Sequence, residues 1–168
     1  FPQLLKTLSQ ILSECPPRPD LNRPRLPIDR VFSIAGFGTV TTGTLSDGRM
    51  KVGDEVEILP SGLKGRIRGL QTHKKKEDTA IPGSRTAINI SGLNAEQIRR
   101  GEVVTHPRQY QATQRVDVHF RLLPDVTGKL HHASEVKVFI GTTETIARVR
   151  LLGTETLDAG QEGWLQLE

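Results

Sequence analysis

Side chains that could do catalytic chemistry are few among the 168 residues of this chain. The triplet Gly36-Phe37-Gly38 has the composition of a nucleotide loop, but the surrounding pattern predicts that it joins two strands. No helix is expected after it to supply a positive N-terminal dipole. The sequence has no glycine-rich loop ending in Gly-Lys-Ser or Gly-Lys-Thr and no nucleophile motif, and its five histidines lack the spacing of metal ligands. We therefore predict no catalytic residue and no metal site.

Basic side chains form a more informative pattern. Lys64, Arg66 and Arg68 alternate with uncharged residues, so a strand here would carry them on one face, and we name these three residues the cationic stripe. A predicted loop with three more cations follows: Lys74, Lys75 and Lys76. Two interpretations stay open, because a solvated outer face of a barrel and a surface that neutralises nucleic-acid phosphates have the same pattern.

Three charged residues stand at predicted strand starts. Asp29 and Arg30 open the first strand of the chain, and Arg85 opens a later strand after Pro82-Gly83-Ser84. An ordinary ion pair at strand ends would account for them and would contribute about 0–1 kcal/mol. Their spacing alone does not show that they converge.

The element expected at the start of the chain is an amphipathic helix. Its apolar positions recur with helical periodicity, and the pair Pro16-Pro17 ends the pattern. These positions are Leu4, Leu5, Leu8, Ile11 and Leu12. The helix either packs on the strands that follow or is the last helix of a domain outside this sequence, and we favour the second interpretation. A proline- and arginine-rich linker, 15–27, follows.

Strands dominate the rest of the sequence. Short segments with two-residue alternation recur about every ten residues between turn signals such as Asp47-Gly48 and Pro82-Gly83, which is typical of a closed antiparallel barrel or a sandwich. A second block of strands begins near Gln111 and is short for a closed barrel, so we expect it to be incomplete at its C-terminal end. The predicted fold class is all-β, with two consecutive antiparallel β-barrels and a short N-terminal helix.

Composition limits which partners and which cellular compartment we expect for this chain. Lysine and arginine exceed aspartate and glutamate by 23 to 19, a net charge of +4 that permits a nucleic-acid partner without requiring one. No apolar run approaches the roughly 20 residues that cross a bilayer, and the first residues do not resemble a secretory signal. The single Cys15 cannot form an internal disulfide. We therefore expect a cytoplasmic protein with no membrane partner.

Several motifs in the two strand blocks are shared with a known family. Four of them lie in the first block: DRVFSIAGFGTVTTG at 29–43, VGDEV at 52–56, PGSR at 82–85 and RGEV at 100–103. This set resembles the second domain of translational GTPases such as elongation factor Tu. Three more segments, RLPIDR at 25–30, AINISG at 87–92 and FIGTTE at 139–144, are similar to the bacterial selenocysteine-specific elongation factors.

The resemblance implies a domain organisation. Residues 1–25 would be the end of a GTP-binding domain and its linker, 26–107 the domain 2 barrel, and 108–168 a domain 3 barrel lacking its last strands. GTP and Mg²⁺ would bind the absent GTP-binding domain, and a messenger RNA hairpin would bind absent C-terminal domains. The fragment itself would therefore not be an enzyme and would hold no cofactor, whereas its parent would be a GTPase.

The resemblance also implies roles for the charged residues. Asp29, Arg30 and Arg85 match a selenocysteine pocket, in which two guanidinium groups would hold a selenolate and Asp29 would bind the α-amino group or orient an arginine. The cationic stripe and Lys74, Lys75 and Lys76 become candidate contacts with tRNA or ribosomal RNA, and Arg148 and Arg150 secondary ones. The implied function is delivery of selenocysteinyl-tRNA to the ribosome. Two alternatives remain: a general elongation or initiation GTPase, and a non-catalytic RNA- or ribosome-binding barrel.

Overall fold

The computed structural model describes residues 1–16 and 20–168, which contain one α-helix, one 3₁₀ turn and fifteen strands. The helix is α1 (Pro2–Glu14), and the 3₁₀ turn is Ala95–Gln97. The strands are β1 (Arg25–Ile34), β2 (Gly38–Thr44), β3 (Met50–Lys51), β4 (Glu55–Leu59), β5 (Leu63–Thr72), β6 (Lys75–Glu77), β7 (Thr79–Ala80), β8 (Arg85–Ser91), β9 (Val103–Thr105), β10 (Val116–Arg121), β11 (Leu130–His131), β12 (Glu135–Ile140), β13 (Thr143–Leu151), β14 (Thr156–Leu157) and β15 (Glu162–Leu167).

Six strands of the first block close into a barrel. Their order is β4-β9-β1-β2-β8-β5, and β4 pairs with β5 to complete the ring, while β6 adds to the outer edge of β5. Alternate residues of these strands point inward and are buried, as the two-residue period predicts. The largest fully buried side chains include Leu26, Ile28, Met50, Ile58, Ile67, Ile88 and Ile90. The interior is thus aliphatic, and the barrel alternative is the one that the chain adopts.

The second block forms a half-barrel. Four strands pair in the order β10-β15-β13-β12, and β11 pairs with β14 beside them. Val149, Leu151, Leu157 and Leu165 make a smaller core. The predicted fold class, two consecutive all-β barrels after a short helix, is confirmed. The predicted domain boundaries stay a prediction.

Helix α1 does not pack on the barrel. None of its residues is buried, and its five apolar positions are between 46% and 71% exposed. The interpretation that it covers the strands is therefore wrong for the described residues. Of the prolines predicted to end it, Pro17 lies outside the described residues, as does part of the predicted linker. No helix in the described part of the chain has the length and hydropathy needed to cross a membrane.

Candidate functional site

A β-bulge in β1 presents two charged residues on the same side of the barrel. Ile28 pairs with Gly43 and Arg30 pairs with Thr42, so Asp29 is an extra residue between two consecutive ladder positions. Ile28 is buried on one side of the bulge, and Val31 packs against the same core on the other. Asp29 and Arg30 therefore both face outward, whereas regular alternation would place adjacent residues on opposite faces.

Gly43 allows the neighbouring strand to approach this bulge. A Cβ atom at Gly43 would lie 2.2 Å from the Pro27 carbonyl oxygen and 2.6 Å from the Leu26 Cδ2 atom. Real Cβ atoms do not come this close to backbone, so a side chain here would push β1 and β2 apart. The absence of a side chain at this position lets β2 lie close to β1 beside the bulge.

Arg85 reaches across β2 to Asp29. Its Nη2 donates to Asp29 Oδ1 at 3.0 Å, and its Nη1 donates to Asp29 Oδ2, which makes the pair bidentate. The Thr42 hydroxyl donates to the same carboxylate at 2.7 Å. The Asp29 side chain is 20% exposed and that of Arg85 is 54% exposed, so the pair lies at the surface.

These contacts change the acidity of the carboxyl group. The hydrogen bond from Arg85 is the main reason that the pKa of Asp29 lies below its ordinary value; partial burial opposes this effect, and Thr42 and the charge of Arg30 add to it. The same hydrogen bond raises the pKa of Arg85. Asp29 is therefore ionised at neutral pH and holds the Arg85 guanidinium in a fixed orientation.

Arg30 remains available to a ligand. It is exposed, and it makes no ion pair among the described residues, whereas Arg85 has two of its five N–H donors on Asp29. Two guanidinium groups and one carboxylate leave the cluster with one net positive charge. The three predicted pocket residues are thus adjacent, and as a group they favour an anion.

An apolar groove that the sequence analysis missed adjoins this charged cluster. Its volume is about 520 Å³, and its walls include Phe32, Ile34, Phe37 and Ala87. Asn89 donates its Nδ2 to the Phe37 carbonyl oxygen at 2.8 Å, while its Oδ1 is buried without a hydrogen-bond partner. Arg85, Ala87 and Asn89 share one face of β8, and the last two line the groove, so Arg85 is the next outward residue of the strand beyond it.

The sequence signal for this groove was the pair Phe32 and Ile34, two large apolar residues in the phase opposite to Val31. Val31 packs against the core, whereas Phe32 and Ile34 are about 40% exposed on the outer surface. An apolar outer face on a polar barrel is a common mark of a binding surface.

The cationic stripe is exposed but partly neutralised. Glu57 lies opposite Lys64 in the β4–β5 ladder, and Glu55 lies opposite Arg66 and pairs with it at 3.1 Å. Arg68 lies at a second register shift, between Ile67 and Gly69, where it borders the apolar groove. Among these three cations of the described chain, Arg68 is the one with no acidic residue directly opposite.

The sequence predicted that Lys74, Lys75 and Lys76 share one loop, but the structure divides them between a turn and a strand. His73 and Lys74, with φ of 50° and 65°, form a two-residue left-handed turn between β5 and β6. Lys75 and Lys76 belong to strand β6, because this turn returns the chain into pairing with Thr72 and Gln71. The prediction of a loop is therefore wrong for two of the three residues.

The secondary candidates Arg148 and Arg150 face outward on β13, since Ala147, Val149 and Leu151 are buried between and beside them. Each lies near an acidic side chain, with Arg148 4.0 Å from Glu135 and Arg150 3.5 Å from Glu168. Within the described residues, no group of three or more histidine, cysteine or acidic side chains could hold a metal ion.

Comparison with known proteins shows similarity to translation factors. Residues 38–105 match the family model for elongation factor Tu domain 2. The chain is 38% identical, over 143 residues, to a selenocysteine-specific elongation factor from Desulfomicrobium baculatum. That match covers 85% of this chain and 23% of the relative.

Elongation factor 1-alpha proteins of archaea are also similar. The protein from Saccharolobus solfataricus is 42% identical over 106 residues, which is 63% of this chain and 24% of the relative. The protein from Metallosphaera sedula is 40% identical over 102 residues, which is 60% of this chain and 23% of the relative. The chain thus spans about a quarter of the length of these relatives. The resemblance to selenocysteine-specific and related elongation factors is confirmed.

Proposed function

We propose that this chain is the part of a selenocysteine-specific elongation factor that holds the aminoacyl end of selenocysteinyl-tRNA. Its place among the elongation factors rests on the match of the first barrel to elongation factor Tu domain 2. The observation that carries the choice of cargo is the juxtaposition of Asp29, Arg30 and Arg85 on one outer face of the barrel. Delivery of this cargo to the ribosome would depend on GTP in the full-length protein.

The charge of the cluster suits a selenolate. A cysteine thiol has a pKa of about 8.5 and stays mostly protonated at neutral pH, whereas a selenol ionises at lower pH and is then an anion. Arg30 and the unoccupied donors of Arg85 would stabilise that anion. With the uncharged serine side chain in place, the same two cations would lose water and gain no counter-charge. Asp29 is already engaged with Arg85, which supports an orienting role.

The groove beside the cluster gives the end of the tRNA a place to lie. Its apolar walls would receive a base, since stacking on apolar and aromatic side chains does not depend on sequence. Asn89 lines the same groove and would lie beside that base. The amino acid would then lie at Arg85 and the last nucleotide at Asn89, on one face of β8.

The basic residues outside the charged cluster would contact RNA by charge alone. We assign the cationic stripe and Lys74, Lys75 and Lys76 to phosphates of the acceptor stem or of ribosomal RNA, and Arg148 and Arg150 to the body of the tRNA. The GTP and Mg²⁺ implied by the family would bind a domain outside these residues, and a messenger RNA hairpin would bind further domains of the full-length protein.

A comparison of two cargoes tests the proposal. In the full-length protein, Arg85→Ala and Arg30→Ala should each weaken selenocysteinyl-tRNA binding about 10- to 100-fold, the value of a hydrogen bond to a charged group. Binding of seryl-tRNA should change less than about twofold. Arg121→Ala is the matched control, because Arg121 is an exposed arginine on the second sheet, paired with Glu162. Equal losses for both cargoes would contradict the selenocysteine assignment.

The similarity to elongation factor 1-alpha proteins keeps a general elongation factor as the second candidate. A panel of charged tRNAs separates the two functions, since a general factor binds many aminoacyl-tRNAs with similar affinity. An RNA- or ribosome-binding barrel without an aminoacyl site would bind charged and uncharged tRNA equally well.

A further inference from the structure

The turn between β12 and β13 joins the half-barrel to the first barrel at the bulge. The Thr142 hydroxyl donates to the Ile28 carbonyl oxygen at 2.8 Å, and the Thr143 hydroxyl donates to the Gly101 carbonyl oxygen at 2.5 Å. A Cβ atom at Gly141 would lie 3.2 Å from the Pro27 side chain, so the turn packs closely on β1. These residues belong to the FIGTTE segment, to which the proposed function assigns no role.

The acceptor of the Thr142 bond is the peptide group that leads into Asp29. The Ile28 carbonyl oxygen also accepts the Gly101 amide at 2.9 Å, and the Ile28 amide donates to the Glu102 carbonyl oxygen at 2.8 Å. Both acceptor sites of this carbonyl are therefore filled, one from the first barrel and one from the second sheet. The orientation of the Ile28–Asp29 peptide depends on both barrels.

We infer that Thr142 is a positioning residue, whose hydroxyl holds the bulge in the orientation that brings Asp29 onto Arg85. Asp29 has a short side chain, so a rotation of the preceding peptide moves its carboxylate directly. A bidentate guanidinium–carboxylate pair tolerates little such movement, because both N–H donors must stay aligned with their oxygens. The second sheet thus completes a site whose charged residues all lie on the first barrel.

Nuclear magnetic resonance on this chain tests the inference without any tRNA, so it can fail independently of the proposed function. Thr142→Val keeps the shape of the side chain and removes the donor. We expect the pKa of Asp29 to move upward toward the ordinary carboxyl range, and the resolved Nη–H signals of Arg85 to be lost. Thr142→Ser restores the donor and should restore both signatures.

Two further variants separate this contact from a general weakening of the junction. Thr145→Val is the control, since Thr145 is an exposed threonine of β13, three residues after Thr142, whose hydroxyl contacts only the local Ile146 carbonyl oxygen, at 3.5 Å. It should leave Asp29 and Arg85 unchanged. Thr143→Val removes the neighbouring junction bond and should perturb Asp29 less than Thr142→Val does. The inference is overturned if Asp29 titrates alike in Thr142→Val and the parent chain, or if Thr143→Val has an equal effect.

Discussion

Gly43 is the position at which one added methyl group should damage the candidate site most. In Gly43→Ala the new Cβ would lie 2.2 Å from a backbone oxygen of β1, nearly an ångström closer than such contacts allow. Because the obstacle is the backbone of a paired strand, no side-chain rotation relieves the clash. β1 and β2 must separate at the bulge.

The size of the effect follows from this geometry. Overpacking of a tight interior costs about 1–3 kcal/mol, and a clash with backbone belongs at the upper end of that range. We expect Gly43→Ala to lower the free energy of unfolding by about 3 kcal/mol, measured by urea denaturation at neutral pH. Asp29 and Arg30 flank the displaced segment, so the pair with Arg85 should weaken in the same variant.

Gly69→Ala is the matched control. Gly69 is also a strand glycine of the first barrel, but a Cβ atom there would have no heavy atom within 4 Å. The control should keep its stability or gain a few tenths of a kcal/mol, since alanine restricts the unfolded chain more than glycine does. If Gly43→Ala unfolds within about 1 kcal/mol of the parent, close approach of the strands does not hold the bulge, and the reasoning is refuted.

Two further predictions concern charge. Asp29→Asn should lower the free energy of unfolding by about 1 kcal/mol at neutral pH. The loss is small because the Arg85 side chain of the pair is half exposed to solvent. Since folding lowers the pKa of Asp29, the stabilisation is present above the ordinary carboxyl pKa and disappears as the pH falls through the lower folded value, so parent and variant should converge in acid. Urea titrations at several pH values measure this, and a constant difference would contradict it. In the full-length protein, Arg68→Ala should reduce the slope of log affinity for tRNA against log salt by about 0.7–0.9, whereas Arg66→Ala should change it little, because Glu55 already neutralises Arg66. Equal changes of slope in the two variants would contradict the argument that Glu55 neutralises Arg66.

The strands of the first barrel could be predicted from the sequence because their signals are local. Turn residues such as Gly36 and Gly38, with φ of 79° and 88°, separate β1 from β2 where the alternation indicated. Such signals need no knowledge of the partner strand, since glycine favours a left-handed turn wherever it occurs. The same holds for the two-residue period that identified the buried positions.

The arrangement of the charged residues was implied by the family resemblance but could not be derived from their spacing, because it depends on register and strand order. Asp29 and Arg85 are 56 positions apart, and they meet only because β1, β2 and β8 are neighbours. In the sequence the bulge shows only as two consecutive charged residues between Ile28 and Val31, and the room that Gly43 provides for it lies on another strand. Long-range pairing of this kind is not encoded in local periodicity.

The bidentate pair makes the two arginines unequal partners for any anion that binds between them. The ion pair with Asp29 restrains Arg85 before any ligand binds, whereas Arg30, which makes no ion pair among the described residues, would be ordered only by the ligand. The entropic penalty of capture therefore falls on a single side chain. Shortening or stiffening that side chain would alter how long the anion stays, while the geometry imposed by its restrained neighbour would still decide which anions fit.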